Sequence, residues 1–365
     1  MRSTILVTGA TGRTGGALVQ QLRAQDWPVR ALVHRIDARS DRLQRLGAEV
    51  VVADMHDPDQ LSEALRGVQR AYYLPLFQPH MVQAAVAFAT AARASRVEAI
   101  VQLSQWLSHR AHPSILTRET WLVDHLLAAI PGVAHVVVDP GMFADNFLRV
   151  IDFASLLGFY PIFTGDSMSA PVATEDIARV IAALLCNPEP HAGRRYRPTG
   201  PKLMSGRDMA AAAARVVGHA VLPVKLPFWM FRKAARLTGA SIHEVYSYRE
   251  YLQDHHNGAF SFDGGVNDVV SQITGQPAED FETTASRYAL MPFARQTAAN
   301  RLKALARFGV LPWVPGHNLD RYERQMRFPR PPRPSLSSED PRWLAEHGAR
   351  AVPNLSTPLG TAAMG

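Results

Sequence analysis

From Ile5 to about Val138, short runs of consecutive apolar residues alternate with stretches whose apolar residues recur every three or four positions. A short uninterrupted run suits a strand buried on both faces, and the longer spacing suits a helix with one buried stripe. Ile5–Val7 therefore predicts a first strand, and Val29–Val33, Val50–Ala53, Ala71–Leu74, Ala99–Leu103 and Val133–Val138 predict five more. Leu18, Val19 and Leu22 predict a helix after the first strand, with others over Met81–Ala94 and Ile115–Ala129. Asp57 reads as a helix N-cap with Pro58 at the first helical position, where its missing amide hydrogen costs nothing. Pro75 ends the fourth strand, because proline cannot donate to a central ladder. Strand and helix in alternation predict an α/β fold with a doubly wound parallel sheet over residues 1–150.

From Leu148 the pattern changes, and residues 151–290 read as a smaller unit that covers the sheet edge. Phe153, Leu156, Leu157, Phe159, Tyr160, Ile162 and Phe163 either line a pocket or fill a core. Thr174–Leu185 is an amphipathic helix expected to be capped by Thr174 and stopped before Pro188. Tyr196 and Thr199–Gly200 predict a short strand and turn, and Ser205 with Asp208 a capping box at the next helix. In the last unit, residues 291–365, Leu302–Phe308 predicts a basic helix. Arg327–Trp343 is rich in proline and arginine, too poor in apolar residues for a core, and suited to an extended polyproline conformation. Such an arm wraps either its own domain or a partner subunit, as in a homodimer.

Gly9, Gly12 and Gly15 follow the first strand at a spacing of three and open into the first helix. Glycines let the backbone turn tightly and approach a pyrophosphate, and free amides at a helix start point at its negative charge. Gly9, Thr11, Gly12, Arg13, Thr14 and Gly15 are thus candidate dinucleotide-binding residues in a Rossmann-type turn. An NAD-preferring site places an acidic residue near the end of the second strand. This strand ends in His34 and Arg35 instead, with Asp26 before it and Asp37 beyond. Arg35 suits a 2′-phosphate, so NADP(H) is expected over NAD(H); the alternative is a solvated arginine in an arginine-rich chain. The loop from Leu74 and Pro75 to Pro79 falls at the carboxyl edge of the sheet, where open α/β folds bind ligands.

The segment TGATGRTGG resembles the extended and atypical short-chain dehydrogenases/reductases, and most of all their NmrA-like branch. That branch holds NAD(P)H-dependent reductases of quinones and phenolic ethers, together with redox-sensing regulators that bind the cofactor without turning it over. The resemblance implies that Asp54 and Met55 lie against the adenine ring and that Ser104, ending the fifth strand, faces the substrate carbonyl. DPGMFADNF, Asp139–Phe147, is similar to the family's R-P-G-x-F-x-x-N turn, which implies that Pro140, Gly141 and Phe143 wall the nicotinamide; Asp139 stands where the arginine is usual. Gly275, Gln276, Pro277 and Phe281 resemble the end of the family's substrate domain, so the likeness spans roughly residues 1–290.

The superfamily's Y-x-x-x-K dyad is missing, and no lysine precedes Lys202. Arg118 falls near the lysine position of the NmrA-like reductases. Arginine stays protonated, so it orients a carbonyl or phosphate but is a poor proton donor. The loop SQWLSHRAHPS, Ser104–Ser114, leaves His109, His112 or bound water as the proton source, with Trp106 to stack on a flat substrate. The other reading makes His109 and His112 exposed loop residues with Trp106 packed beneath them. Their spacing of three also suits zinc, but no third and fourth ligand is evident. Asp254, His255 and His256 are expected on the surface, since adjacent side chains point apart.

Composition narrows the function. The 365 residues are 47% hydrophobic, enough for a sizeable core, and no apolar run approaches the roughly 18 residues of a membrane span. Cys186 is the only cysteine, and the first strand leaves no room for a signal peptide, so a cytoplasmic location is expected. A net charge of +7 and a pI near 9.8 point toward polyanions. All but four of the 39 basic residues are arginine, however, and they are spread over the whole chain, so sequence-specific nucleic-acid binding is not expected. WMFRKAARL, Trp229–Leu237, mixes aromatic and basic residues and makes either a weak membrane-surface contact or an ordinary half-packed helix. Two readings stay open: an NADPH-dependent reductase of a flat carbonyl small molecule such as a quinone or enone, and a non-catalytic NADP(H) sensor acting through a protein partner. A mutase or epimerase with a retained cofactor is a third.

Overall fold

The computed structural model describes residues 2–348. Six strands, β1 (Ile5–Val7), β2 (Val29–Val33), β3 (Glu49–Val52), β4 (Arg70–Tyr73), β5 (Ala99–Leu103) and β6 (Ala134–Val138), run parallel. They alternate with α1 (Arg13–Ala24), α2 (Ala38–Arg45), α3 (Pro58–Ala64), α4 (Met81–Ala94) and α5 (Ile115–Ala128), within a residue of the expected limits where limits were predicted. Central β1 pairs with β2 on one side and β4 on the other, Leu6 lying level with Arg30 and Ala71. Successive side chains on a strand face opposite ways, and both faces here are apolar. Ile5, Val7 and Tyr72 enter one core, and Leu6 and Tyr73 enter the other with Phe88 and Leu127. Asp57 caps α3 through the amides of Asp59 and Gln60, with Pro58 at the start of the helix, as expected.

The covering unit begins with α6 (Ala144–Leu148), α7 (Ile151–Leu157), β7 (Phe159–Ile162) and β8 (Met168–Ser169). The chain then returns to the first unit. α8 (Thr174–Cys186) packs its apolar face, Ile177, Ile181 and Leu184, beside Leu18 and Leu22 of α1. β9 (Arg195–Tyr196) follows and completes a seven-stranded sheet in the order β3-β2-β1-β4-β5-β6-β9. The sheet unit therefore does not end at residue 150. Thr174 does not cap α8 either: Ala173 holds the N-cap position, and the Thr174 hydroxyl donates to Asp145 Oδ2 at 2.7 Å, tying α8 to α6.

Next come β10 (Met204–Ser205), α9 (Gly206–Val217), β11 (Leu222–Lys225), α10 (Phe228–Leu237), α11 (Ile242–His256), α12 (Val269–Thr274) and α13 (Phe281–Ala289). The Ser205–Asp208 capping box opens α9 as expected. Ile151, Tyr160, Met209, Phe281 and Tyr288 form this unit's own core. The last segment holds α14 (Ala298–Val310), α15 (Leu319–Met326) and α16 (Pro341–His347).

The proline- and arginine-rich stretch lies across its own chain, and here the composition misled. Trp343 of α16 is fully buried against Trp106, Leu107, Met142 and Phe260. Its indole Nε1 donates to the Trp106 carbonyl, while the Trp106 Nε1 donates to the carbonyl of Ala259. One aromatic anchor thus supplies a core that an average over the stretch cannot show.

His347 stacks on Trp343 with ring centroids 4.5 Å apart, and burial pushes its pKa down to about 3. Burial likewise holds His135 and His255 down at about 4. Below pH 6.5 the unfolded chain takes up protons that the native chain refuses. The stability these neutral rings contribute is therefore complete above pH 6.5 and is lost as pH falls toward 3. His347→Phe keeps the stack and removes the titration, so denaturant midpoints measured against pH should fall less steeply below 6.5 in the variant than in the parent.

Candidate active site

The glycine turn is a backbone cradle. Gly9 has φ +60°, a conformation that costs a side-chain-bearing residue energy, and its carbonyl accepts from Gly12 N at 2.8 Å. A Cβ on Gly15 would meet Gly9 O at 2.3 Å, so α1 crosses the end of β1 at a distance only glycine permits. Gly12 is the N-cap and makes no side-chain cap, which leaves the first amides of α1 free for an anion. Gly12 and Arg13 are exposed, Thr11 is half-buried and Thr14 is buried. The Leu74 amide donates to Thr8 Oγ1 at 2.8 Å, and a Cβ on Gly9 would meet Leu74 Cδ2, so Leu74 and Pro75 back the turn from β4. This geometry fits the pyrophosphate of a dinucleotide.

Arg35 is 73% exposed beyond β2, with its Nε 3.6 Å from Asp37 Oδ2. Asp37 caps α2 through the amides of Arg39 and Ser40 and also holds the Arg39 guanidinium; bonds from Arg39 keep its carboxyl well below the usual range. With both its oxygens so engaged, the nearest carboxylate past β2 is poorly placed to accept from a ribose. Asp54 accepts from the backbone amide of His56 and pairs with its Nδ1, and these contacts lower its pKa. Met55 beside it is buried.

At the carboxyl end of β5 and β6 lies a buried polar network that the sequence did not reveal. Arg195, on β9, donates to Asp124 Oδ2 at 2.7 Å and to Asp139 Oδ2 at 2.9 Å, and both carboxylates are fully buried. Burial pushes the Asp139 carboxyl up to about 6, with the Arg195 charge opposing it. Asp124 also accepts from Gln102 Nε2, Ser104 Oγ and Ser108 Oγ. The Ser104 hydroxyl thus donates to Asp124 at 2.9 Å.

The other polar groups expected to assist Ser104 are also tied down. His112 is fully buried; its Nδ1 accepts the Ser114 amide and its Nε2 donates to Asp254 Oδ2 at 2.7 Å. His109 is buried 3.3 Å from Asp340 Oδ2, and burial lowers its pKa. Arg118 donates to the carbonyls of His112, Pro113 and Pro329. None of the four lines the apolar cavity that lies beyond the turn after β6. His109, His112 and Arg118 fasten the loop after β5 to α11 and the C-terminal segment. Asp254 and His255 are buried too, correcting the surface reading. The helical turn points Asp254 at His112, while the His255 Nδ1 meets Ser167 Oγ. No group of three or more metal-ligating side chains occurs among the described residues.

The turn after β6 joins the cradle to the covering unit. Pro140 and Gly141 are buried, and a Cβ on Gly141 would crowd Phe260 at 3.3 Å. Phe143 bridges to Val172, and Asp145 receives the hydroxyls of Thr174 and Tyr288. Arg13 reaches across from the glycine turn to within 4.0 Å of Asp145 Oδ1. Beyond the turn, Met142, Asn146 and Phe147 form one wall of an apolar cavity of about 340 Å3. Phe153, Phe163, Phe231 and the α11 tyrosines Tyr248 and Tyr251 line the rest. The spacing of three between those tyrosines was the available sign that they share a helix face. Arg197, from the run Arg194–Arg197 that includes Arg195, lies with its guanidinium 3.7 Å from the Trp106 ring centroid; burial lowers it to about 10.

The sheet order, the glycine cradle and the covering unit define an NAD(P)-binding Rossmann-type fold. The model of the NmrA-like family matches residues 1–121 of this chain. The chain is 29% identical over 291 residues to an NAD(P)H azoreductase of Xenophilus azovorans, a match spanning 78% of this chain and 98% of the relative. It shares its fold with an NADPH-complexed quinone oxidoreductase of Escherichia coli, with TM-score 0.67, 23% identity, and coverage of 78% of this chain and 99% of that one. It also shares the fold of NmrA, a negative transcriptional regulator solved with NAD, with TM-score 0.66, 17% identity, and coverage of 78% and 94%.

Gly15→Ala tests the cradle directly. With 2.3 Å between the new methyl and Gly9 O, the turn must open, and NADPH affinity measured by fluorescence titration should fall at least about tenfold, even where the variant stays folded.

Proposed function

We propose that this chain is an NADPH-dependent reductase acting on a flat carbonyl small molecule such as a quinone or an enone. The carrying observation is the 340 Å3 apolar cavity, whose wall of Met142, Asn146 and Phe147 belongs to the turn that Arg13 links to the glycine cradle. The relatives support the class: an azoreductase matched along nearly its whole length, and a quinone oxidoreductase of the same fold.

Gly9, Thr11, Gly12, Arg13, Thr14 and Gly15 hold the pyrophosphate, Arg35 takes the 2′-phosphate, and Asp54 with Met55 borders the adenine. Leu74 and Pro75 back the phosphates, and Pro140, Gly141 and Phe143 wall the nicotinamide. When bound, the cofactor supplies a hydride. The aromatic walls orient a flat acceptor and keep water from its faces. Burial pushes the pKa of Tyr248 and Tyr251 upward, so both hydroxyls stay neutral and serve as hydrogen-bond donors to an acceptor oxygen. A quinone needs no stronger acid, because solvent can protonate the reduced oxygen.

A cofactor-binding regulator is the second reading. It is favoured by the engagement of Ser104, His109, His112 and Arg118 in internal contacts, and one protein of the same fold is a transcriptional regulator.

Purified protein should oxidise NADPH in the presence of quinones; tight NADPH binding without turnover on any acceptor would leave the regulator. Ala234→Trp projects bulk into the cavity from α10, and is expected to raise KM for the acceptor about tenfold or more while NADPH affinity is unchanged. Arg35→Glu should lower NADPH affinity relative to NADH by roughly tenfold to a hundredfold in paired titrations.

A further inference from the structure

The cavity opens onto a surface unlike the rest of the molecule. Phe293, Phe308 and Leu237 line the cavity and are also exposed, so its mouth lies between α14, the turn before it and the end of α10. Only Ala304 of α14 is buried. On the outer side of that helix Leu302 and Leu305 are 70% and 52% exposed, and Trp313, a few residues past its end, is 86% exposed. Trp229, at the start of α10, is half-exposed.

The charged residues of this face's two segments are cationic. Arg295, Arg301, Lys303 and Arg307 occur between Thr283 and Leu319, and Arg215, Lys225, Arg232, Lys233 and Arg236 between Met209 and His243; neither segment contains an aspartate or glutamate. The ion pairs nearby, Lys225 with Asp166, Arg215 with Glu282 and Arg149 with Glu244, leave Arg301, Lys303 and Arg236 without a carboxylate partner among the described residues.

Exposed leucines and tryptophans flanked by unpaired cations match an anionic lipid interface: the apolar groups enter the acyl boundary, the indoles sit at headgroup level, and the cations meet lipid phosphates. A second copy of the chain would bring like charges together, which the same composition opposes. We infer that the face built from α14, Trp313 and α10 docks on an anionic lipid bilayer, with the cavity mouth turned toward the acyl region. No helix among the described residues is long and apolar enough to cross a membrane, so the contact is interfacial. Docking itself does not depend on the reductase reading. Its consequence does: an apolar acceptor then enters the cavity from the bilayer.

The test uses the full chain with vesicles of phosphatidylcholine alone and of phosphatidylcholine mixed with phosphatidylglycerol. Sedimentation with the anionic vesicles, release by high salt, and a blue-shifted tryptophan emission that Trp313→Phe diminishes are expected. Arg301→Gln and Lys303→Gln should each weaken partitioning about fivefold, and Leu302→Ser with Leu305→Ser should abolish it. Thermal unfolding of each variant is expected to match the parent, because the altered side chains are exposed. No binding by folded parent protein, or equal binding to both vesicle types, overturns the inference. A concentration-dependent dimer in sedimentation velocity that the double serine variant dissolves overturns it too, and assigns the face to a second copy. Vesicle binding is read without turnover, so its failure and a failure of NADPH oxidation are separate results.

Discussion

Arg195 holds together the edge of the sheet on which the candidate site is built. A guanidinium with two carboxylates, all removed from water, survives only where geometry and additional hydrogen bonds offset the cost of desolvation. Here Gln102, Ser104 and Ser108 also bond to Asp124, so β5, α5, β6 and β9 meet at one buried cluster. The turn that follows β6 starts from Asp139 itself. Any loosening of the cluster would shift Pro140–Phe143 and the wall of the cavity with them, which gives a two-residue strand far more structural weight than its length suggests.

A second cluster extends that rigidity to the C-terminal segment. Trp343 fills the space beside Trp106, Ser337 donates to the Leu107 carbonyl, and the Ser338 amide donates to Asp254, which also receives His112. These contacts make the loop after β5 a buried joint. Residues whose chemistry suits catalysis are here engaged in holding a strap. The tyrosines of α11 face the cavity beside Asn146, Asp152 and Glu244, and most of the wall they share with the phenylalanines is apolar. On the function proposed above, an acceptor that takes a hydride readily draws its proton from solvent, so the missing tyrosine–lysine pair does not count against reduction. The cavity mouth, lined by exposed apolar side chains among unpaired cations, fits an acceptor of low water solubility.

The dinucleotide-binding region was legible in the sequence because its determinants are local. Apolar runs set the strands to within a residue, and three glycines marked the turn because backbone approach depends on what those positions lack. Asp57 with Pro58 and Ser205 with Asp208 announced their helix starts through bonds spanning three residues or fewer. Thr174 broke that rule because a carboxylate 29 residues away outbid its own helix for the hydroxyl.

The sequence by itself determined the sheet, the cradle and the cation-rich, acid-free composition of two distant segments. Only the tertiary structure decided that Arg195 lies between Asp124 and Asp139, that His112 faces Asp254, and that α10 and α14 come together around one mouth. The physical reason is separation along the chain: His112 and Asp254 are 142 positions apart, and Asp124 and Arg195 are 71. A buried charge declares its partner only when the fold brings the partner to it. Until then, a histidine poised for catalysis and one fastened inside a joint look the same.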